Sequence, residues 1–511
     1  MQTEHDTRAA PAILGSLSPG RTSWHLDYAF LLAVVVGLLL ARIPLIPTRF
    51  FDPDEFEHSH AAWCVFKGLV PYKDFFEHHT PWYYFLLAPF FRWFVVDQSF
   101  ESARHFLIFG RGLSLALTTL SAVLAFLVGR QGANRKVGIL TALFLVGQPV
   151  VIQKTLEIRP DVPALAFFIG GLWFLLRGLL AEESAATPRL RWFLGGGLCI
   201  GCAIMCTQKM LFVLPGALAG LGIWAVAGGQ RRLLARTLAG LVALVGIVVP
   251  GALTWTGLAI CGGGSQFIRN NFLLNAKWKI HSDEHLTVTL KTSWPILILC
   301  LLGITVSLHR FYHSKQRRFG DILLLCTLGG LVAGILVIPA AYKQYYLMPL
   351  AIACVFAAQG LAFVVDSARQ SVRGWLLICA TLPLLVWPVA ELGSSYTERN
   401  QQQTARLQYV FEHTQPTDTV LDGWLGTGVF RPHALYYFFM HRELLAMLSE
   451  SQRAAYVDLL ESGRVRPSLI TLDEELIALG SRFVRFVLRN YVTDDGLFYF
   501  PRPAPASTMP Q

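Results

Sequence analysis

Apolar residues dominate this chain in long runs separated by short polar joints, and a helix needs about 20 such residues to cross a hydrocarbon layer about 30 Å thick. The runs fall at residues 28–46, 106–129, 137–153, 162–180, 192–207, 210–229, 237–260, 293–308, 321–339, 346–365 and 374–391. They predict an α-helical polytopic membrane protein of about eleven transmembrane helices over residues 28–392. The first run is too long for the core of a signal peptide, and Arg42, Pro44 and Pro47 follow it in place of a small-residue cleavage site, so it is expected to remain as a span. Residues 1–27 are polar, contain Pro11, Pro19 and Gly20, and read as a disordered tail. From about Gly393 the pattern changes: short strand-like runs at 419–422, 468–472 and 497–500 alternate with helical periodicity at 434–448 and 474–479, which predicts a small α/β domain over 393–511. No internal repeat stands out, so the inverted-repeat signature of secondary transporters is missing.

Composition sharpens this picture. With 54% hydrophobic and 15% charged residues, and a mean hydropathy of +0.47, the chain is far more apolar than a soluble domain of its length. The net charge of +10 does not indicate a nucleic-acid partner, because the basic residues sit in clusters between apolar runs. Arg130, Arg135 and Lys136 follow the second run, Arg177, Arg189 and Arg191 flank the turn after the fourth, and Arg231, Arg232 and Arg236 follow the sixth. Arg310, Lys315, Arg317 and Arg318 follow the eighth, and Arg369 and Arg373 the tenth. Every cluster lies after an even-numbered run, so the positive-inside rule places the N-terminus and these joints in the cytoplasm, and the loop 48–105 and the C-terminal domain outside.

The outward joints hold the candidate chemistry. The loop after the first run gathers Asp52, Asp54, Glu55, Glu57, His58, His60, Asp74, Glu77, His78 and His79 among aromatic residues, which is costly at a membrane boundary unless it binds something. Further joints supply Arg159 and Asp161, then Lys209, then Lys343 and Tyr346. Acid on some joints and cations on others describe a polar cavity at one membrane face. Each residue also has a plainer use. Asp52, Asp54 and Glu55 around Pro53 suit a helix N-terminus, Asp161 after Pro160 suits a cap, Arg159 can snorkel, and Lys343 with its tyrosines suits an interfacial belt. Carboxylates and imidazoles are also suitable ligands for a divalent metal. The spacing of His58 and His60 fits one helix face poorly, however, and no zinc motif is present, so no metal is expected. The nine cysteines read as small core residues; Cys64 and Cys261 are the two near the outer face, where a disulfide is chemically possible.

Asp54-Glu55 after the first run, the loop ending in Phe75-Phe76-Glu77-His78-His79-Thr80-Pro81, the second acid at Asp161 and the late segment Lys343-Gln344-Tyr345-Tyr346-Leu347-Met348-Pro349 resemble the GT-C glycosyltransferases. The likeness is to bacterial members of the protein O-mannosyltransferase group and to the aminoarabinose transferases. It implies an enzyme of the inner membrane that takes a sugar from a polyprenyl-phosphate carrier and transfers it, with inversion, to a lipid, glycan or protein acceptor on the extracytoplasmic side. It also implies catalytic roles for Asp54, Glu55 and Asp161, with Asp54 as base, and substrate contacts for Glu77, His78, His79, Arg159, Lys209, Lys343 and Tyr346. Where the relatives often have Lys after this Glu, the chain has His78-His79-Thr80, which changes the expected donor contacts. A lipid-linked sugar flippase without transferase activity is the competing reading, although its ionisable residues would be expected in mid-membrane.

Overall fold

The computed structural model describes residues 24–185, 188–277, 284–313, 319–338 and 341–503. Most of the expected tail (1–23) and the basic residues Lys315, Arg317 and Arg318 lie outside the described residues; the last residues of the tail, from Trp24, already belong to the first helix, Trp24–Leu40.

Nine stretches among the described residues are helical, long and apolar enough to cross a membrane: Tyr28–Thr48, Phe100–Gly132, Asp161–Glu182, Gln208–Ala227, Gln230–Ile260, Glu284–His313, Phe319–Val337, Lys343–Ser367 and Gln370–Thr397. The other two of the expected eleven runs form shorter helices. The run at 192–207 forms the 17-residue helix Leu190–Cys206. The run at 137–153 is broken in two, Arg135–Val146 and Pro149–Lys154, because Pro149 cannot donate its backbone to a continuing helix and Gln148 before it takes an extended conformation (φ −67°, ψ 130°). Both short elements are nevertheless built into the bundle. Leu190–Cys206 packs on Gln230–Ile260 through glycine, since a Cβ on Gly197 or Gly246 would meet the backbone of the facing helix.

The two ends of the bundle differ in chemistry. At one end Lys136 pairs with Asp366, and Arg236 forks onto the buried Glu182 at 2.9 and 3.0 Å. At the other end lie the first loop, the joints near 153–163, 207–209 and 341–349, and the C-terminal domain.

The C-terminal domain has a four-stranded sheet, β1 (Val420–Asp422), β2 (Leu469–Thr471), β3 (Tyr491–Val492) and β4 (Phe498–Pro501), in the order β1-β2-β4-β3. β1 and β2 run parallel, β4 antiparallel to both its neighbours. The helix Val386–Thr397 passes through the boundary expected at 393. The segment 434–448 is helical only over Arg442–Met447. Its first half gives its backbone to other partners: Tyr436 O accepts from Phe76 N (2.9 Å), Met440 N donates to Gly423 O (3.0 Å), and Tyr437 N donates to the Tyr456 hydroxyl (2.7 Å). One aromatic core therefore joins loop and domain, with Phe56, Trp63, Phe75 and Phe91 packed against Phe430, Phe438 and Phe439.

Candidate active site

The helix Pro53–Phe66 places the first carboxylates. Asp52 is its N-cap, Pro53 its first residue, and Glu55 returns its side chain to the Asp52 N–H (3.0 Å), a capping box. The plainer expectation, an acidic helix start, therefore accounts for Asp52 and Glu55. Asp54 points elsewhere, into a cavity of about 520 Å³ at the end of the bundle, where its Oδ2 meets Arg159 Nη2 at 2.7 Å.

Glu55 is separated from that cavity. It is fully buried and held by Arg111 through two bonds of 2.6 and 2.9 Å, while Ile158 N donates to its Oε2 (3.1 Å). Arg111 spends its remaining donors on the carbonyls of Ile46, Arg49 and Phe50 and lies over the Phe51 ring. The expected catalytic Glu55 is thus a strut between the helix Phe100–Gly132 and the loop.

Arg159 is the hub of the cavity floor. Only 2% exposed, it meets Asp54, Glu157 (3.0 Å), Asp52 (3.5 Å) and Asp161 (3.6 Å). Burial alone would discharge it, but Asp54, Glu157, Asp52 and Asp161 outweigh burial and hold the guanidinium above its ordinary range. Lys154 bridges Asp52 (2.6 Å) and Glu157 (3.1 Å). Burial pushes Glu157 up to about 7 in spite of these cations. Asp161, the first residue of its helix, sits behind the cavity wall and pairs with Lys209, whose ammonium lies 4.3 Å from the centre of the Tyr345 ring.

Glu77 and the two histidines form a second group. Tyr72, the only non-glycine with positive φ (70°) among the described residues, takes this conformation in the turn that precedes them, and its hydroxyl donates to His79 O (2.6 Å). Buried Glu77 accepts from the backbones of His78 and His79 (2.8 Å each) and meets His79 Nδ1 at 3.0 Å; it aims the histidines rather than lining the cavity. Glu57 faces His78 Nδ1 at 3.6 Å. Burial, then the nearby Glu77 and Asp54 charges, raise the Glu57 carboxyl well above its usual range, and burial, then His79 and His441, hold His78 well below its own. One ligand atom from each of Glu57, Glu77, His78 and His79 lies within 4.8 Å of the others, a donor set suited to a divalent cation.

Lys343, Tyr342 and Tyr345 make the far wall, and Trp424, His441 and Arg442 of the C-terminal domain roof the cavity. Of the ten expected site residues, Asp54, His78, His79, Arg159, Lys209 and Lys343 line it; Glu55, Glu77 and Asp161 stand behind its wall. Tyr346 packs into the main helical core, and its neighbour Tyr345 takes the place expected of it. Glu57 and Lys154 also line the cavity: Glu57, three residues from Asp54 on one helix, was read only as part of the acidic loop, and Lys154, in the joint 153–163, was not singled out. The roof had no local signal.

Residues 79–255 match the model of a family described as dolichyl-phosphate-mannose-protein mannosyltransferase. No curated protein sequence matches the chain. Among solved structures it is similar to ArnT from Cupriavidus metallidurans bound to undecaprenyl phosphate, with 13% identity, a TM-score of 0.61, and coverage of 96% of this chain and 100% of that one. It is also similar to the Archaeoglobus fulgidus oligosaccharyltransferase in its apo form, with 13% identity, a TM-score of 0.58, and coverage of 88% and 70%. The archaeal enzyme AglB from the same organism, in complex with an inhibitory peptide and a dolichol-phosphate, gives 13% identity, a TM-score of 0.55, and coverage of 95% and 76%. The chain thus shares the fold of ArnT and of the archaeal oligosaccharyltransferase, and over residues 79–255 it also matches the mannosyltransferase family model.

Proposed function

We propose that this cavity transfers a sugar from a polyprenyl-phosphate carrier to an acceptor hydroxyl, on the extracytoplasmic face and with inversion. The observation that supports this most is that Asp54, paired with Arg159, shares a membrane-end cavity with Lys209 and Lys343. Two of the similar structures hold a polyprenyl phosphate, undecaprenyl phosphate in one and dolichol-phosphate in the other.

The chemistry follows from the charges. The acceptor oxygen attacks the anomeric carbon, the bond from that carbon to the phosphate oxygen breaks, and its electron pair stays with the phosphate. A single displacement of this kind inverts the centre. Phosphate is a weak base and leaves without an acid, but its growing charge needs cations already in place, which Arg159, Lys209 and Lys343 supply. Asp54 takes the acceptor proton. Asp161 orients Lys209 and Arg159, Glu55 fixes the helix that bears Asp54, and Glu77 aims His78 and His79 at the substrate. This scheme needs no metal.

Lys343→Ala should raise the KM for the lipid-linked donor roughly tenfold or more, the worth of one bond to a charged group, with a smaller effect on the acceptor KM. Equal effects on both would leave Lys343 as an interfacial anchor only. The basic joints support an N-terminus in the cytoplasm and a C-terminal domain outside. A reporter that is active only in the cytoplasm should accordingly stay silent when fused after Gln511, and a strong signal there would reverse the proposed sidedness.

A further inference from the structure

Away from the cavity, the helix Pro53–Phe66 meets the C-terminal domain through His60, Cys64 and His433. Cys64 is buried and, like the exposed Cys261, unbridged, and its sulfur lies 3.3 Å from His60 Nε2 and 3.7 Å from His433 Nδ1. The two nitrogens are 3.0 Å apart. His60 Nδ1 lies 2.9 Å from the Val429 carbonyl, so it bears the proton and Nε2 keeps its lone pair. His433 Nδ1 faces the same point, within reach of both His60 Nε2 and Cys64 Sγ. Two ring nitrogens and a thiol thus converge in an apolar setting formed by Trp63, Phe75 and Phe438. One S–H can serve only one of the two nitrogens.

We propose that these three side chains bind a zinc ion that clips the first loop to the C-terminal domain. Tetrahedral zinc, with Zn–N about 2.0–2.1 Å and Zn–S about 2.3 Å, sets its nitrogens about 3.3 Å apart and nitrogen and sulfur about 3.6 Å apart. The observed separations of 3.0, 3.3 and 3.7 Å follow that pattern. Carbonyl bonds to the second ring nitrogen are how ligating histidines are usually oriented. A cavity of about 20 Å³ borders His60 and His433, room for one water to complete the fourth position. On binding, the Cys64 thiol passes its proton to solvent and the thiolate enters the coordination sphere. His60 lies six residues from Asp54, about 9 Å along the same helix, so the clip would fix the catalytic loop beneath its roof.

The test is the metal content of the full-length protein purified in detergent without chelator. About one zinc per chain is expected, lost in both Cys64→Ser and His433→Gln and retained in Glu77→Gln, which alters the other carboxylate–imidazole group. Wild-type protein stripped and reloaded with Co2+ should show a thiolate-to-cobalt charge-transfer band that Cys64→Ser lacks. This readout holds even if a variant folds poorly, because it begins from the wild type. Wild type that binds neither ion, or zinc that follows Glu77→Gln instead of Cys64→Ser, would overturn the clip.

Discussion

Asp54→Asn is expected to lower turnover by roughly 10²–10⁴-fold, the range a positioned general base contributes, while KM for the lipid donor moves little. Asparagine keeps the size of the side chain and much of its hydrogen bonding but cannot take the acceptor proton. The fold should survive, since the helix start is capped by Asp52 and Glu55 and not by Asp54. Arg159 should stay in place as well, because Glu157, Asp52 and Asp161 still surround it. Asp161→Asn should act differently: it releases Lys209, so its main effect should appear in donor binding. Normal turnover by Asp54→Asn beside a dead Asp161→Asn would assign the base to Asp161.

Arg111→Met should destabilise the protein by about 3–5 kcal/mol, the cost of leaving one member of a buried ion pair uncompensated. Glu55 would lose its cation in a fully buried position, and the carbonyls of Ile46, Arg49 and Phe50 would lose their donor. Adding Glu55→Leu should restore part of the loss by removing the stranded carboxyl group. Recovery should stop short of wild type, since Glu55 also accepts from the backbones of Asp52 and Ile158. Thermal unfolding in detergent of wild type, single and double variants reads this directly; a single variant as stable as wild type would show that the strut is not needed.

The long apolar runs, the position of the acidic loop and the gathering of joints 153–163, 207–209 and 341–349 at one end of the bundle were legible in the sequence, because span length and charge placement are local properties. Direction within a loop was not. Asp54 and Glu55 are chain neighbours, yet about 100° of helix rotation sends one into the cavity and the other onto Arg111. A step of about 120° in the 3-10 helix Lys343–Tyr346 likewise separates Tyr345 from Tyr346. His58 and His60 drew notice as a pair although they cannot share a helix face, whereas His60 and Cys64, four residues apart, do. The aromatic segment before Arg442 suggested helix because its apolar period fits one, but its backbone bonds go to the loop and to Gly423. Such long-range pairings leave no periodic trace.

Departure of the sugar from its polyprenyl-phosphate carrier in this cavity is tested most directly by reconstituting the full chain in liposomes with a donor labelled in both sugar and lipid and with an envelope extract as acceptor. One polyprenyl phosphate should be released for each sugar that appears in the acceptor, and Asp54→Asn should form both products at least about a hundredfold more slowly. Labelled donor that crosses the bilayer intact, with no polyprenyl phosphate released, would contradict it and establish a flippase.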